Sequence, residues 1–187
     1  MARELTFVTS NRHKFAEVHA ILADRGISVA MRSMELREVQ ADTLEEIATE
    51  KVREASVAVD GPVIVEDTGL FIDVLRGFPG PYSAYVFRTL GNQGILRLLE
   101  ETADRRATFK SVFAYGDPDG SVECFGAGAP GTIALTCRGE GWGYDPIFTP
   151  DNASGRTYGE LGDDKNRLSH RRAALDKLAG WVQAGGR

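Results

Sequence analysis

Cysteine is nearly missing from this sequence: Cys124 and Cys137 are the only two in 187 residues. So few, so far apart, exclude a cysteine-rich zinc centre and a disulfide-stapled scaffold, and suit a reducing, cytoplasmic compartment. An excess of positive charge is missing too. Lys and Arg total 22 against 27 Asp and Glu, a net charge of −5, which argues against a broad nucleic-acid-binding face. No run approaches the roughly 18 consecutive apolar residues that mark a membrane span. The short apolar run after Met1-Ala2-Arg3-Glu4 is too brief for a secretory signal core. Walker A sequence, internal repeat, low-complexity segment and linker are all lacking. The expectation is a chain that engages neither membrane nor nucleic acid.

What is present is a mixed α/β pattern of a length that suits one domain, residues 1–187. Leu5 to Thr9 reads as a strand, and Phe15, Val18 and Leu22 recur at helical spacing before Gly26. Ser28 to Met31 fits a second strand. Thr43 with Glu46 forms a capping-box signature, and Leu44, Ile47, Ala48, Val52 and Ala55 mark the buried stripe of the helix it opens. Val63-Ile64-Val65 reads as a strand buried on both faces, ending at Glu66-Asp67-Thr68-Gly69, with another strand from Leu70 to Leu75. Gly77 to Tyr82 is a stiff loop, and Ile95, Leu98 and Leu99 mark a helix. Ala107 to Tyr115 and Ser121 to Phe125 flank the turn Asp117-Pro118-Asp119-Gly120, predicting a hairpin, and Ile133 to Leu135 extends the sheet. Leu168, Leu175, Leu178 and Val182 supply the apolar face of the last helix.

Several segments carry chemistry. Gly126 to Gly131 matches the dinucleotide fingerprint G-x-G-x-x-G, but a β-rich run follows and Pro130 sits where the phosphate-binding helix would start. A glycine-rich bend or bulge is the reading. Asp117 to Gly120 lacks the remaining ligands of a calcium loop. Thr9-Ser10-Asn11-Arg12-His13-Lys14 lies between strand and helix, where free backbone N–H groups, hydroxyls and cations suit a phosphate; simple helix capping by Ser10 or Asn11 is the plainer alternative. Glu66 and Asp67 form a carboxylate pair at a strand end, suited to a hard cation such as Mg²⁺ or to a capped turn. Lys165-Asn166-Arg167-Leu168-Ser169-His170-Arg171-Arg172 gathers cations in an acidic chain. Helical spacing would put Lys165, Ser169 and Arg172 on one side, and Arg167, His170 and Arg171 on another, forming an anion site or a solvated face. Gly141-Trp142-Gly143-Tyr144-Asp145 sets aromatics and an acid among glycines, either a platform for a base or residues packing inward.

Taken in order, these segments, with Phe78-Pro79-Gly80-Pro81-Tyr82 and Gly143-Tyr144-Asp145-Pro146-Ile147-Phe148, resemble the inosine triphosphate pyrophosphatase family across essentially the whole chain. The resemblance implies an elongated mixed α/β fold, a central sheet flanked by helices, with two lobes and the active cleft between them. That fold is shared with the Maf-type pyrophosphatases. It implies a homodimer, and Mg²⁺-dependent hydrolysis of deaminated purine nucleoside triphosphates to the monophosphate and pyrophosphate. Thr9 to Lys14 would grip the triphosphate. Asp67 would accept the proton of the attacking water and, with Glu38, hold Mg²⁺. Lys51 would lie near the phosphates, and Thr68 would keep the hydroxyl of the family's commoner serine. Trp142 (often phenylalanine in the family), Gly143, Tyr144 and Asp145 would line the base pocket, with Lys165, His170 and Arg171 completing base and phosphate contacts.

The base preference has a physical core. Hypoxanthine and xanthine present an O6 acceptor where adenine presents an amino donor, so donors aimed there favour the deaminated base. Two rivals remain at this stage: a Maf-type pyrophosphatase for modified pyrimidine or guanine nucleotides, and a nucleotide sensor that has lost hydrolysis.

Overall fold

The computed structural model describes residues 4–37 and 39–186. In chain order its elements are β1 (Leu5–Val8), α1 (Arg12–Ala23), β2 (Val29–Arg32), α2 (Leu44–Ala58), β3 (Val63–Ile72), β4 (Pro79–Gly80), α3 (Ser83–Thr89), α4 (Gly91–Leu98), β5 (Arg106–Gly116), β6 (Val122–Ile133), β7 (Phe148–Pro150), α5 (Tyr158–Leu161), α6 (Lys165–Leu168) and α7 (His170–Gln183). The strands make a mixed sheet in the order β2-β1-β3-β5-β6-β7, with β4 added to β3. This is the mixed α/β architecture expected from the sequence. The chain divides into two compact units, each with its own core.

The first unit comprises Met1–Asp67, Ser111–Ala127 and Arg171–Arg187. Here β1 pairs in parallel with β2 and with β3. Parallel neighbours need crossovers, and α1 and α2 supply them. Asn11 caps α1, its side chain accepting from His13 N and Lys14 N, while Thr9 Oγ1 accepts from Asn11 N. The capping box of Thr43 and Glu46 opens α2 as expected. Both helices turn apolar stripes inward: Val18, Ile21 and Leu22 from α1, and Ile47, Ala48, Val52 and Ala55 from α2. The rings of Phe7 and Phe113 meet at 6.1 Å, and Leu175 and Leu178 of α7 close the core.

The second unit comprises Thr68–Lys110 and Gly128–His170. Phe109 is its hub. It meets Phe148 edge-on at 5.4 Å and stacks on His170 at 4.2 Å, within a core that includes Leu70, Ile72, Ile95, Leu99, Ile147 and Tyr158. Two glycines permit strand contacts that no side chain would. A Cβ on Gly69 would lie 2.5 Å from Gly80 O of β4, and one on Gly131 would lie 2.3 Å from Thr149 O of β7.

Four sequence expectations change. Glu66-Asp67-Thr68-Gly69 does not end a strand; β3 runs continuously through it. Gly69 serves the close approach of β4 rather than a turn, and Ser83 Oγ locks that approach by accepting from Leu70 N and donating to Gly80 O. Gly126 to Gly131 is neither bend nor dinucleotide loop but part of continuous β6, which itself ends at Ile133. Leu98 is exposed rather than part of the core, whereas Ile95 and Leu99 are buried. The basic segment is not one helix. Ser169 is extended (φ −78°, ψ 157°) between α6 and α7, so the face grouping drawn from helical spacing does not hold. A serine immediately before a helix is a favoured cap, which is why the break falls there.

Candidate functional site

In the first unit, the sequence order valine, glutamate, aspartate at Val65-Glu66-Asp67 puts two buried carboxylates side by side in β3. Alternation along a strand sends their side chains to opposite faces, and their partners differ accordingly. Glu66 is wholly enclosed. Arg171 holds it with two donors, Nε to Oε1 at 2.9 Å and an Nη to Oε2 at 3.2 Å. Lys14 Nζ lies 3.3 Å from Oε2, and Ser111 Oγ donates a short hydrogen bond to Oε1. Arg171 also donates a short bond to Glu17 of α1. Burial works against the Arg171 charge, but Glu66 and Glu17 outweigh it and hold the guanidinium pKa above its usual value.

Asp67 takes the other partner set. Lys51 Nζ of α2 donates to Asp67 Oδ1 at 2.7 Å. Burial pushes the Asp67 pKa up from the ordinary aspartate value; Lys51 and Lys14 hold back part of that rise, while Glu66 adds to it. The result is a sheltered carboxylate that binds a proton more readily than a free one, a property suited to general-base work. Three carboxylates (Glu17, Glu66, Asp67) and three cations (Lys14, Lys51, Arg171) thus meet in one unit. Ser10, Arg12 and His13 are exposed at the start of α1, beside this cluster in sequence.

In the second unit the loop from Gly139 to Asp145 is fastened to α5. Glu140 N donates to Gly159 O, and Gly159 N to Asp145 O, each at 2.9 Å. Gly139 must be glycine, since its Cβ would lie 2.2 Å from the Gly159 carbonyl carbon. Lys165 and Asp145 are both buried and paired at 2.7 Å. Lys165 Nζ also lies 5.0 Å from the centre of the half-buried Trp142 ring and 5.6 Å from that of Tyr158. The arrangement is an indole with a fixed ammonium beside it, a pairing favoured by the ring quadrupole.

The sequence profile of the Ham1 family matches residues 5–181. The chain belongs to the Ham1 family. Its similarity to named relatives runs nearly end to end. The dITP/XTP pyrophosphatase of Methanopyrus kandleri is 48% identical over 182 residues, covering 96% of each chain. That of Thermococcus kodakarensis is 45% identical over 181 residues, covering 96% of this chain and 97% of its own. The solved Ham1 protein of Staphylococcus aureus superimposes with a TM-score of 0.82 at 30% identity, covering 98% of this chain and all of its own.

Within this Ham1-family chain the structure sorts the residues singled out from the sequence. Thr9, Asn11, Lys14, Lys51, Asp67 and Arg171 belong to the first unit; Thr68, Trp142, Gly143, Tyr144, Asp145, Lys165 and His170 belong to the second. Asn11 fulfils the capping alternative, its side-chain oxygen being committed to backbone N–H groups. Tyr144 is a core residue: its hydroxyl donates to Ser83 O at 2.8 Å, its ring meets Phe87 and Phe109 edge-on, and burial raises its pKa. His170 is likewise stacked inward on Phe109. Of the two loop aromatics, only Trp142 has an accessible face. Glu38, the expected metal ligand, lies outside the described residues. Sequence reasoning missed Glu17 and Ser111. Glu17 had a local signal, three residues after Lys14 on the same helix face; Ser111 had none.

Proposed function

We propose that this chain hydrolyses deaminated purine nucleoside triphosphates (ITP, dITP and XTP) to the nucleoside monophosphate and pyrophosphate, removing them from the nucleotide pool. The substrate class is supported by full-length relatives named dITP/XTP pyrophosphatases, 48% identical in the case of Methanopyrus kandleri. The chemistry rests on one observation above all, a buried Asp67 with its pKa raised and Lys51 on one of its oxygens.

Mg²⁺ fits this chain's residues. The donors are hard carboxylate oxygens, and Lys51 Nζ at 2.7 Å marks a cation's place at Asp67. Mg²⁺ keeps waters and takes phosphate oxygens as further ligands. Asp67 and Glu38 would hold it, and when bound it would neutralise charge on the phosphates. Asp67 takes the proton as a water oxygen bonds to the α-phosphorus. The α–β phosphoanhydride bond breaks, and pyrophosphate leaves. Lys14 and Lys51 exchange carboxylate partners for phosphate oxygens, with Thr9, Ser10, Arg12 and His13 nearby in sequence. Trp142 stacks on the base, worth ~1–3 kcal/mol. Lys165, held by Asp145, aims a donor at O6.

We also take the chain to work in the cytoplasm as a homodimer. Seven of its exposed large apolar residues (Val74, Phe78, Tyr82, Tyr85, Phe87, Leu90 and Leu98) fall within 25 residues of the second unit. Such a concentration supports an association face.

Hydrolysis of ITP in ¹⁸O-labelled water tests the chemistry. The label should enter IMP, with unlabelled pyrophosphate released, and chelator should stop the reaction until Mg²⁺ is restored. Label in inorganic phosphate, or turnover indifferent to chelator, would contradict it. Lys165→Met should lower the ITP-to-ATP ratio of kcat/KM by about 10- to 100-fold, the worth of a charged hydrogen bond. An unchanged ratio would move base reading elsewhere.

A further inference from the structure

We infer that Asn92 is a positioning residue for the loop that carries Trp142 and Asp145, the partner of Lys165, and thereby sets the nucleobase preference; this rests on the base-binding roles given to Trp142 and Lys165 above. Asn92 lies in the first turn of α4, remote in sequence from the loop, and no sequence motif includes it. Its Nδ2 donates to Gly143 O at 3.0 Å. Gly143 is left-handed (φ +62°) with open space where a Cβ would be, so glycine is required there for backbone conformation and not for room. That conformation aims its carbonyl at Asn92.

The two residues flanking Gly143 differ in how they are held. Tyr144 is anchored on the core side through its hydroxyl to Ser83 O. Trp142, on the other side, closes a turn with Asp145: its carbonyl accepts from Asp145 N at 3.3 Å and its N–H reaches Asp145 Oδ2 at 3.4 Å. The Asn92 bond, at 3.0 Å, grips that turn from α4 at the residue beside the indole.

The amide carries a cost that indicates what it is for. Donation to the Gly143 carbonyl fixes which way the amide faces, and this leaves Asn92 Oδ1 buried without a hydrogen-bond partner among the described residues. A buried unpaired acceptor is destabilising. A leucine of similar size would remove that penalty, so the amide is poorly explained by packing. It is explained by the bond to Gly143.

The test is Asn92→Leu, made in a Trp181→Phe background so that Trp142 is the sole indole; Trp181 packs on Tyr115 and Phe125 in the first unit. Without nucleotide, the variant should let acrylamide quench Trp142 at least about twofold more effectively, with Tm unchanged or raised. With substrate, KM for ITP should rise roughly tenfold while kcat stays within about twofold, and the ITP-to-ATP ratio of kcat/KM should fall accordingly, as expected when a positioning contact is lost. Asn92→Asp, isosteric but unable to donate when ionised, should reproduce the KM change. A lower Tm with quenching, KM and ratio all unchanged would overturn the proposal and leave Asn92 a structural brace. Greater quenching with an unchanged ratio would also overturn it, by separating loop order from base choice. If the parent enzyme itself shows no ITP preference, the base-binding reading fails first and the inference falls with it; the acrylamide result then reports on the tether alone.

Discussion

Asp67→Asn should lower turnover of ITP by about 10³-fold or more while leaving nucleotide affinity within a few-fold, the loss expected when a general base is removed. The amide keeps the shape of the carboxylate and the place beside Lys51, but it cannot take the proton of the attacking water. Its effect on stability has the opposite sign. Folding raises the Asp67 pKa, burial being the largest cause. A carboxyl whose pKa rises on folding opposes folding at pH values above its folded pKa, and that opposition fades as pH falls towards the unfolded value. A neutral asparagine lacks this penalty, so Tm at neutral pH should hold or rise. The same shift sets an expectation for activity: ionised Asp67 is lost at a higher pH than an ordinary aspartate, and the Mg²⁺ concentration needed for half-maximal rate should climb as pH falls. Isothermal titration with a non-hydrolysable ITP analogue checks affinity, single-turnover kinetics checks the step, and thermal unfolding checks Tm. Loss of affinity in proportion to rate would contradict the role given to Asp67.

Arg171→Met should produce the largest loss of stability, about 3–5 kcal/mol, the cost of breaking a buried ion pair from one side. For a chain of this size that is a fall in Tm of roughly 10 °C. Arg171 is 1% exposed and faces both Glu66 and Glu17. Removing it leaves Glu66 with Lys14 and Ser111 but strips the principal countercharge from two carboxylates. The resemblance placed Arg171 among base and phosphate contacts. Its observed commitments point instead to holding Glu66, and with it the strand that carries Asp67. The distinguishing readout is the ITP-to-ATP ratio, which should be unchanged in whatever folded protein remains. Glu17→Met combined with Arg171→Met should recover part of the stability, because the second stranded charge is gone. A full-stability Arg171→Met variant with altered base preference would return the residue to the base pocket.

The fold was legible where patterns are local. The capping box at Thr43, the apolar stripe of α2 and the hairpin about Asp117 to Gly120 depend on residues a few positions apart and take their expected form; in α1, Val18 and Leu22 are buried as expected, joined by Ile21, while Phe15 is only partly buried. Expectations failed where a glycine answered to a distant neighbour. Gly69 looked like a turn but makes room for Gly80 O, and Gly131 looked like a bend but makes room for Thr149 O. No local pattern encodes which strand arrives there. The candidate site divided in the same way. Asp67, Lys14 and Lys165 stand out as candidates from charge in context and from resemblance, yet the partners that hold Arg171 lie 105 and 154 positions away. Helical spacing misassigned the basic segment because one extended residue, Ser169, interrupts it. Tyr144 illustrates a further limit: an aromatic among glycines reads alike whether it stacks on a base or, as found, packs into a core.

Selective cleavage of deaminated purine nucleotides is decided by pyrophosphate release from ITP, XTP, ATP, GTP and UTP, each with Mg²⁺ and with chelator. The predicted result is Mg²⁺-dependent release from ITP and XTP, with ATP, GTP and UTP slower by about two orders of magnitude or more. Equal release from all five, or preference for UTP, would contradict it.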